Sequence, residues 1–315
     1  MAIRHRRPPR LGRSTRRTLI GVALLALLVP LTVVALRIVL HHARDCTGEL
    51  TLEIAAAPAI VPALRDIAAE LPRGVLRVHS DCVRVSITEA PSAAVARTLA
   101  ASRGRDLDVG SVPVGMAAMP HVWIPESRAW TLRVEDASDA AGPILAPYQP
   151  SAAYDPVGLS VANAATPIAL DAWNPADLSV GAVDPRADAA SLAALAAFGN
   201  AGVDKGVGTF AALDTALASA DAVPMSALEL AAHNRAHPER PRVLVETRPA
   251  ITGFDYPYAM RADLSARLSR AAEKFLTALS GAEGLACLAE MGLQPPDEYR
   301  PVLTRGAVVG VLGGA

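Results

Sequence analysis

His233 and His237 stand four residues apart, the spacing that brings two imidazoles to one face of a helix and suits a metal ion. Asn234 follows the first histidine where a zinc-protease helix carries Glu, no third ligand is apparent, and Pro238 ends the helix. The pair reads as a solvated face, and no metal or other cofactor is expected. No G-x-S-x-G, P-loop, G-x-G-x-x-G or C-x-x-C pattern occurs, and nothing pairs two carboxylates as acid and base. An enzyme is not expected. A hydrolase would need a serine within hydrogen-bond reach of a histidine.

What remains is a set of polar side chains at strand-to-helix junctions. Ser127, Ser191 and Ser226 can donate hydrogen bonds to a polar solute, and Asp188 lies beside Ser191. Trp130 and Tyr256 can wall a cleft. Taken singly, Asp188 and Ser226 read as helix N-caps. Taken together, the six residues form a candidate ligand-binding set, and Asp188 disfavours a simple oxyanion as the ligand.

The elements that position them alternate. Strands are expected at 50–55, 83–88, 121–124, 157–162, 180–183, 222–225 and 242–246, and helices at 59–70, 93–102, 189–198, 209–219, 227–236, 263–279 and 283–291. Ser226-Ala227-Leu228-Glu229 and Ser280-Gly281-Ala282-Glu283 both fit a capping box. Residues 103–118 read as an exposed loop, 137–156 as a linker, and 293–315 as an extended end without clear chemistry. Alternating strands and helices predict an α/β fold with mostly parallel sheets.

Aromatic residues make up 4% of the chain, too few for the stacking platforms of single-strand nucleic-acid binding. Residues 1–44 hold nine arginines and no acid, so the remainder has 21 basic against 31 acidic residues. An acidic body excludes groove binding, and no nucleic-acid partner is expected. Leu19 to Leu36 is uncharged, and the apolar run resumes after Arg37 to Leu40. That length spans a bilayer. Seven of the nine arginines precede it, placing a tail of residues 1–18 in the cytoplasm. The expectation is one retained N-terminal transmembrane helix over 19–40, with the body outside the cell membrane; a cleaved signal peptide is the other reading.

An oxidising compartment permits a disulfide among Cys46, Cys82 and Cys287. Cys46 and Cys82 each sit just before a strand of one β-α-β unit, at the same end of the sheet, so they are the expected pair. Cys287, in an apolar helix, reads as a structural thiol.

Several segments resemble type II periplasmic solute-binding proteins. Lys274-Phe275-Leu276, Leu279-Ser280-Gly281-Ala282-Glu283-Gly284, Leu288-Ala289-Glu290-Met291-Gly292 and Pro295 resemble the C-terminal helices of that group, with Leu285 where Gln is usual. His121 to Pro125, Val183 to Leu192 and Asp255 to Tyr258 resemble further segments in the right order. The likeness extends to actinobacterial membrane-anchored substrate-binding proteins whose longer relatives carry a von Willebrand factor A domain. No D-x-S-x-S pattern of that domain is found here, so it is expected to be absent. The resemblance implies two α/β lobes joined by two crossings. Lobe 1 would comprise 46–150 plus 255–300, lobe 2 would comprise 151–254, and 301–315 would form an extension. It implies a small-molecule ligand between the lobes, for transport or sensing, with an ABC-type permease or an envelope protein as partner. The other reading is a ligand-free structural or interaction protein of the cell envelope on the same fold.

Overall fold

The computed structural model describes residues 46, 48–71, 76–110, 119–137, 142–162, 167–203, 206–296 and 301–313. The expected anchor over 19–40 and the basic tail lie outside them. Among the described residues no helix is long and apolar enough to cross a membrane. Residues 49–315 form one compact unit.

The chain enters on β1 (Gly48–Ala56), where Leu52 and Ile54 alternate inward before a fully buried Ala55–Ala56 end. Helix α1 (Val61–Glu70) starts with a proline in its first turn and buries Val61, Leu64 and Ile67 on one stripe. The short β2 (Arg77–Val78) and the longer β3 (Asp81–Glu89) follow, then α2 (Ser92–Ala101), β4 (Val122–Ile124) and α3 (Arg128–Asp136). The second half contains β5 (Val157–Val161), β6 (Ile168–Ala169), β7 (Val180–Val183), α4 (Ala189–Asn200), β8 (Val207–Phe210), α5 (Leu213–Ser219), β9 (Ala222–Ser226), α6 (Ala227–Ala236), β10 (Val243–Val245) and β11 (Thr247–Arg248). The chain returns through β12 (Ala259–Met260) and ends with α7 (Ala266–Leu279), α8 (Ala282–Glu290) and α9 (Arg305–Leu312).

These strands build two five-stranded sheets, in the orders β12-β4-β1-β3-β2 and β10-β5-β9-β7-β8, plus a β11-β6 pair. The expected two-lobed α/β architecture is present. The sheets are mixed rather than mostly parallel. β1–β4, β7–β8 and β7–β9 run parallel, but β12–β4, β2–β3, β5–β9 and β10–β5 run antiparallel. Apart from the β2–β3 hairpin, the antiparallel pairs involve the strands next to the crossings, whose direction hydropathy does not encode.

Four further segments differ in detail from expectation. The segment expected as a linker over 137–156 is packed against the body in its described part: Ile144, Leu145, Ala152 and Ala153 are buried, and Ser151 and Asp155 bridge to Pro257 and Phe254. The loop expected over 103–118, by contrast, is present and largely exposed across its described residues 103–110, with Val109 the buried exception. The helix expected over 209–219 begins only at Leu213, since Gly208 to Phe210 continue a strand beside β7. The C-terminal end carries a helix, α9, capped by the Thr304 hydroxyl. The second capping box also does not form; Gly281 occupies the N-cap of α8, without a side-chain bond.

Helix α4 is buried on nearly every side, so it is a central element rather than an amphipathic one. Helix α7 buries Ala271, Ala272, Phe275 and Leu279. The Tyr258 hydroxyl donates to the Ala272 carbonyl at 2.8 Å, pinning α7 to the return crossing. Gly284 lets α8 pack against the end of α7; a Cβ there would lie 2.4 Å from the Ala278 carbonyl oxygen. Cys46 and Cys82 are disulfide-bonded, as expected, and Cys287 is free, its sulfur 3.7 Å from the Ala63 carbonyl.

Candidate functional site

Helices α2, α3, α4 and α6 each begin directly after a loop or strand end of one of the two sheets, and side chains at their starts act on one another. Ligands in open α/β sheets bind at such carboxyl ends of strands. Two crossing segments run beside these starts. Ala152 N–H donates to the Tyr256 carbonyl at 2.9 Å, Tyr258 N–H to the Pro150 carbonyl at 2.8 Å, and Asp155 and Phe254 exchange bonds at 3.0 and 2.9 Å. Arg128, at the start of α3, forms an ion pair with Asp255 at 3.0 Å, tying that helix to the return crossing.

Four carboxylates face one another here. Glu126, just before α3, accepts from Trp130 Nε1 at 2.6 Å and from the Ser92 hydroxyl at the start of α2. Asp188 caps α4, accepting from Ser191 N–H at 2.7 Å. Asp155, on the outward crossing, accepts from Leu228 N–H at 3.3 Å at the start of α6. Glu229 and Ser226 complete the expected capping box of α6. Glu126, Asp188 and Glu229 are half-buried, each keeping part of its surface open to solvent.

Burial raises all four pKa values, because a desolvated carboxylate favours its neutral form. The Glu229 carboxyl is pushed up to about 8 by burial and then by the charges of Asp188, Glu126 and Asp155. Asp155 rises to about 6, held back by the Ser226 hydroxyl and the N–H groups of Leu228 and Ala227. Glu126 is raised by burial, against the opposing bonds from Ser92 and Trp130, and Asp188 is raised by burial against those from Ser191. Among the described residues, none of the four makes an ion pair.

Tyr256 lies against this group. Its ring is fully buried and its hydroxyl has no hydrogen-bond partner among the described residues. Burial and the charges of Asp155, Glu229 and Glu126 drive the phenol well above its ordinary pKa. Its backbone sits at φ +38°, a left-handed conformation rare for a bulky side chain, and is held by bonds at both its N–H and its carbonyl.

The positive charge nearby is already engaged. Arg133 stacks 4.7 Å from the Trp130 ring centre, donates to the Arg186 carbonyl at 2.9 Å and to the Asp108 carbonyl, and is shifted down to about 10 by burial. Arg186 pairs with Asp108 at 3.2 Å and Asp184 at 2.8 Å.

The six sequence-derived residues stand as follows. Ser127 is buried and caps α3 through Ala129 N–H. Trp130 is buried and committed to Glu126. The Ser191 hydroxyl accepts from Val183 N–H at 2.8 Å and bonds Asp188, while Ser226 bonds Glu229 N–H and Asp155. Asp188 and Tyr256 belong to the charged group itself. Sequence reasoning did not single out Ser92, Glu126, Asp155 and Glu229 as site residues. Glu126 and Ser92 do carry a signal, lying within two residues of a strand-to-helix junction; Asp155 carries none. The histidine pair stacks at 4.7 Å between ring centres, and among the described residues no three His, Cys, Asp or Glu side chains are placed to share a metal ion.

Known proteins agree with this architecture. Among solved structures, a periplasmic thiamin-binding protein superposes with TM-score 0.54 at 10% identity, over 84% of this chain and 94% of its own. The periplasmic binding protein P5PA superposes with TM-score 0.50 at 12% identity, over 81% and 88%. The sulfate-binding protein SubI of Mycobacterium tuberculosis H37Rv does so with TM-score 0.47 at 17% identity, over 85% and 91%. At these identities the first two likenesses establish the fold alone. No curated protein matches the sequence. The profile of the bacterial extracellular solute-binding proteins matches residues 52–294, and the chain belongs to that family.

Proposed function

We propose that this chain is a membrane-tethered receptor that closes two lobes over a small polar solute outside the cell membrane. In this reading residues 19–40 are the anchor, 1–18 the cytoplasmic tail, 46–150 plus 255–300 one lobe, 151–254 the other, and 301–315 an extension. Ser127, Trp130, Asp188, Ser191, Ser226 and Tyr256 line or support the cleft, and the loaded receptor serves an ABC-type permease or an envelope partner in transport or sensing. The observation that carries the reading is the meeting of carboxylates from helix starts of both sheets beside two hydrogen-bonded crossings. Hinged crossings of this kind are what domain closure requires.

The test is a thermal-shift screen of the full chain in detergent, against anions, cations, amino acids and sugars, followed by hydrogen exchange. A solute at 100 times its Kd should stabilise the protein by about 2.7 kcal/mol and slow exchange at residues 126–130 and 188–191. A silent panel overturns the reading. It would favour the ligand-free envelope protein instead, which draws support from the complete burial of Trp130 and Tyr256.

A further inference from the structure

Resting on the receptor reading, the geometry points to the ligand's chemical class: a small organic cation with ammonium or guanidinium N–H donors, held by Glu126, Asp188 and Glu229 and by the Tyr256 hydroxyl.

Three of the four helix starts disfavour the opposite charge; the fourth, α2, begins at Pro91 without a side-chain cap, and its Ser92 hydroxyl donates to Glu126. A helix N-terminus favours an anion only while its N–H groups are unoccupied. Here the chain's own groups take those places: the Ser127 hydroxyl on α3, the Asp188 carboxylate on α4, and Ser226 and Asp155 on α6. An incoming anion would also meet four carboxyl groups, while the guanidiniums around them are already engaged: Arg128 with Asp255, Arg133 with carbonyls, and Arg186 with Asp108 and Asp184.

The same cleft is incomplete without positive charge. Carboxylates buried together without a cation oppose one another. The serine hydroxyls that touch them, Ser92, Ser191 and Ser226, supply hydrogen bonds but no charge. The Tyr256 hydroxyl is a separate observation. It is a fully buried donor and acceptor with no partner among the described residues, close enough to Asp155, Glu229 and Glu126 to feel their charge. An unmet hydroxyl in a protein interior calls for a partner. An N–H donor supplies it, and the acids beside it select a cation over a neutral amide.

The experiment titrates the full chain in detergent, by calorimetry and thermal shift, with putrescine and agmatine. Sulfate, molybdate and maltose serve as anionic and neutral counterparts, and tetramethylammonium as a cation without N–H groups. Putrescine or agmatine should bind, tetramethylammonium at least tenfold more weakly. Tyr256→Phe keeps the ring and removes only the unpartnered hydroxyl. It should leave the ligand-free midpoint unchanged or higher, yet weaken amine binding about tenfold; a structural hydroxyl would show the reverse. Glu126→Gln should weaken it further. Amine binding that Tyr256→Phe leaves intact overturns the assignment. So does a response to sulfate, molybdate or maltose with the amines silent, although the receptor reading then stands. Silence from every probe here and from the broader panel overturns both.

Discussion

Replacing Glu229 with Gln tests the electrostatics of the cleft without ligand. The Glu229 carboxyl titrates near 8, faced by Asp188, Glu126, Asp155, the Tyr256 phenol and the Ser226 N–H. In the unfolded chain a glutamate titrates near 4.3. Between these values the folded protein holds a proton that the unfolded chain has released, so stability falls as pH rises. A full proton's difference is worth about 1.4 kcal/mol per pH unit. Integrated from pH 5.5 to 7.5, this one side chain removes roughly 2 kcal/mol of stability. Gln at the same position can still accept from Ser226 N–H and close the capping box, so Glu229→Gln should fold. Urea denaturation across that pH window should show the variant gaining roughly 2 kcal/mol on the parent. Parallel pH profiles for the two proteins, or a parent that gains stability faster than the variant, would refute the argument.

Two other outcomes test the packing that frames the cleft. Gly284→Ala would drive a methyl to within 2.4 and 2.5 Å of the Ala278 and Leu279 carbonyl oxygens, backbone atoms that cannot rotate away. It should cost about 1–3 kcal/mol in denaturation, and a change below 0.5 kcal/mol would sink that account. Arg133→Met would leave the Arg186 and Asp108 carbonyls without their donor and remove the cation over Trp130. A loss of about 1–3 kcal/mol should appear with faster hydrogen exchange at residues 105–110 and 184–188; unaltered exchange there would show that Arg133 does not hold the two segments together.

Much of the frame was legible because its signals are local. The capping box at Ser226 and Glu229, the proline opening α1, and the periodic burial of α7 are each written within a dozen residues. The disulfide followed from two strands entering from the same end. What escaped depends on distant partners. Residues 137–156 look like a linker because Ala, Gly and Pro dominate them, yet their backbone pairs with residues about a hundred positions later. β5 reads as a strand, but its antiparallel run beside β9 is a fact of chain return. The site divides in the same way. Junction serines could be found, and their position after strands is a rule of the fold class. The Asp188 cap could be found too, but the engagement of Ser226 by Asp155 and of Ser92 by Glu126 could not, because an acid reads as solvated until the chain around it is known. The inference that Asp188 disfavours an oxyanion was available from one residue; its three companions come from segments that only folding brings near.

Helix α9 packs on both α3 and α4, the helices that follow β4 of the first sheet and β7 of the second. Arg305 reaches Asp136 at 3.1 Å and Glu135 at 3.5 Å, and Val308 is buried while Val309 stands 55% exposed. An affinity tag or fusion partner appended after residue 315 would therefore hang from a staple across the joint, and would load any movement of that joint. A dye attached at position 309 would, by the same arrangement, ride on the staple and register its slippage.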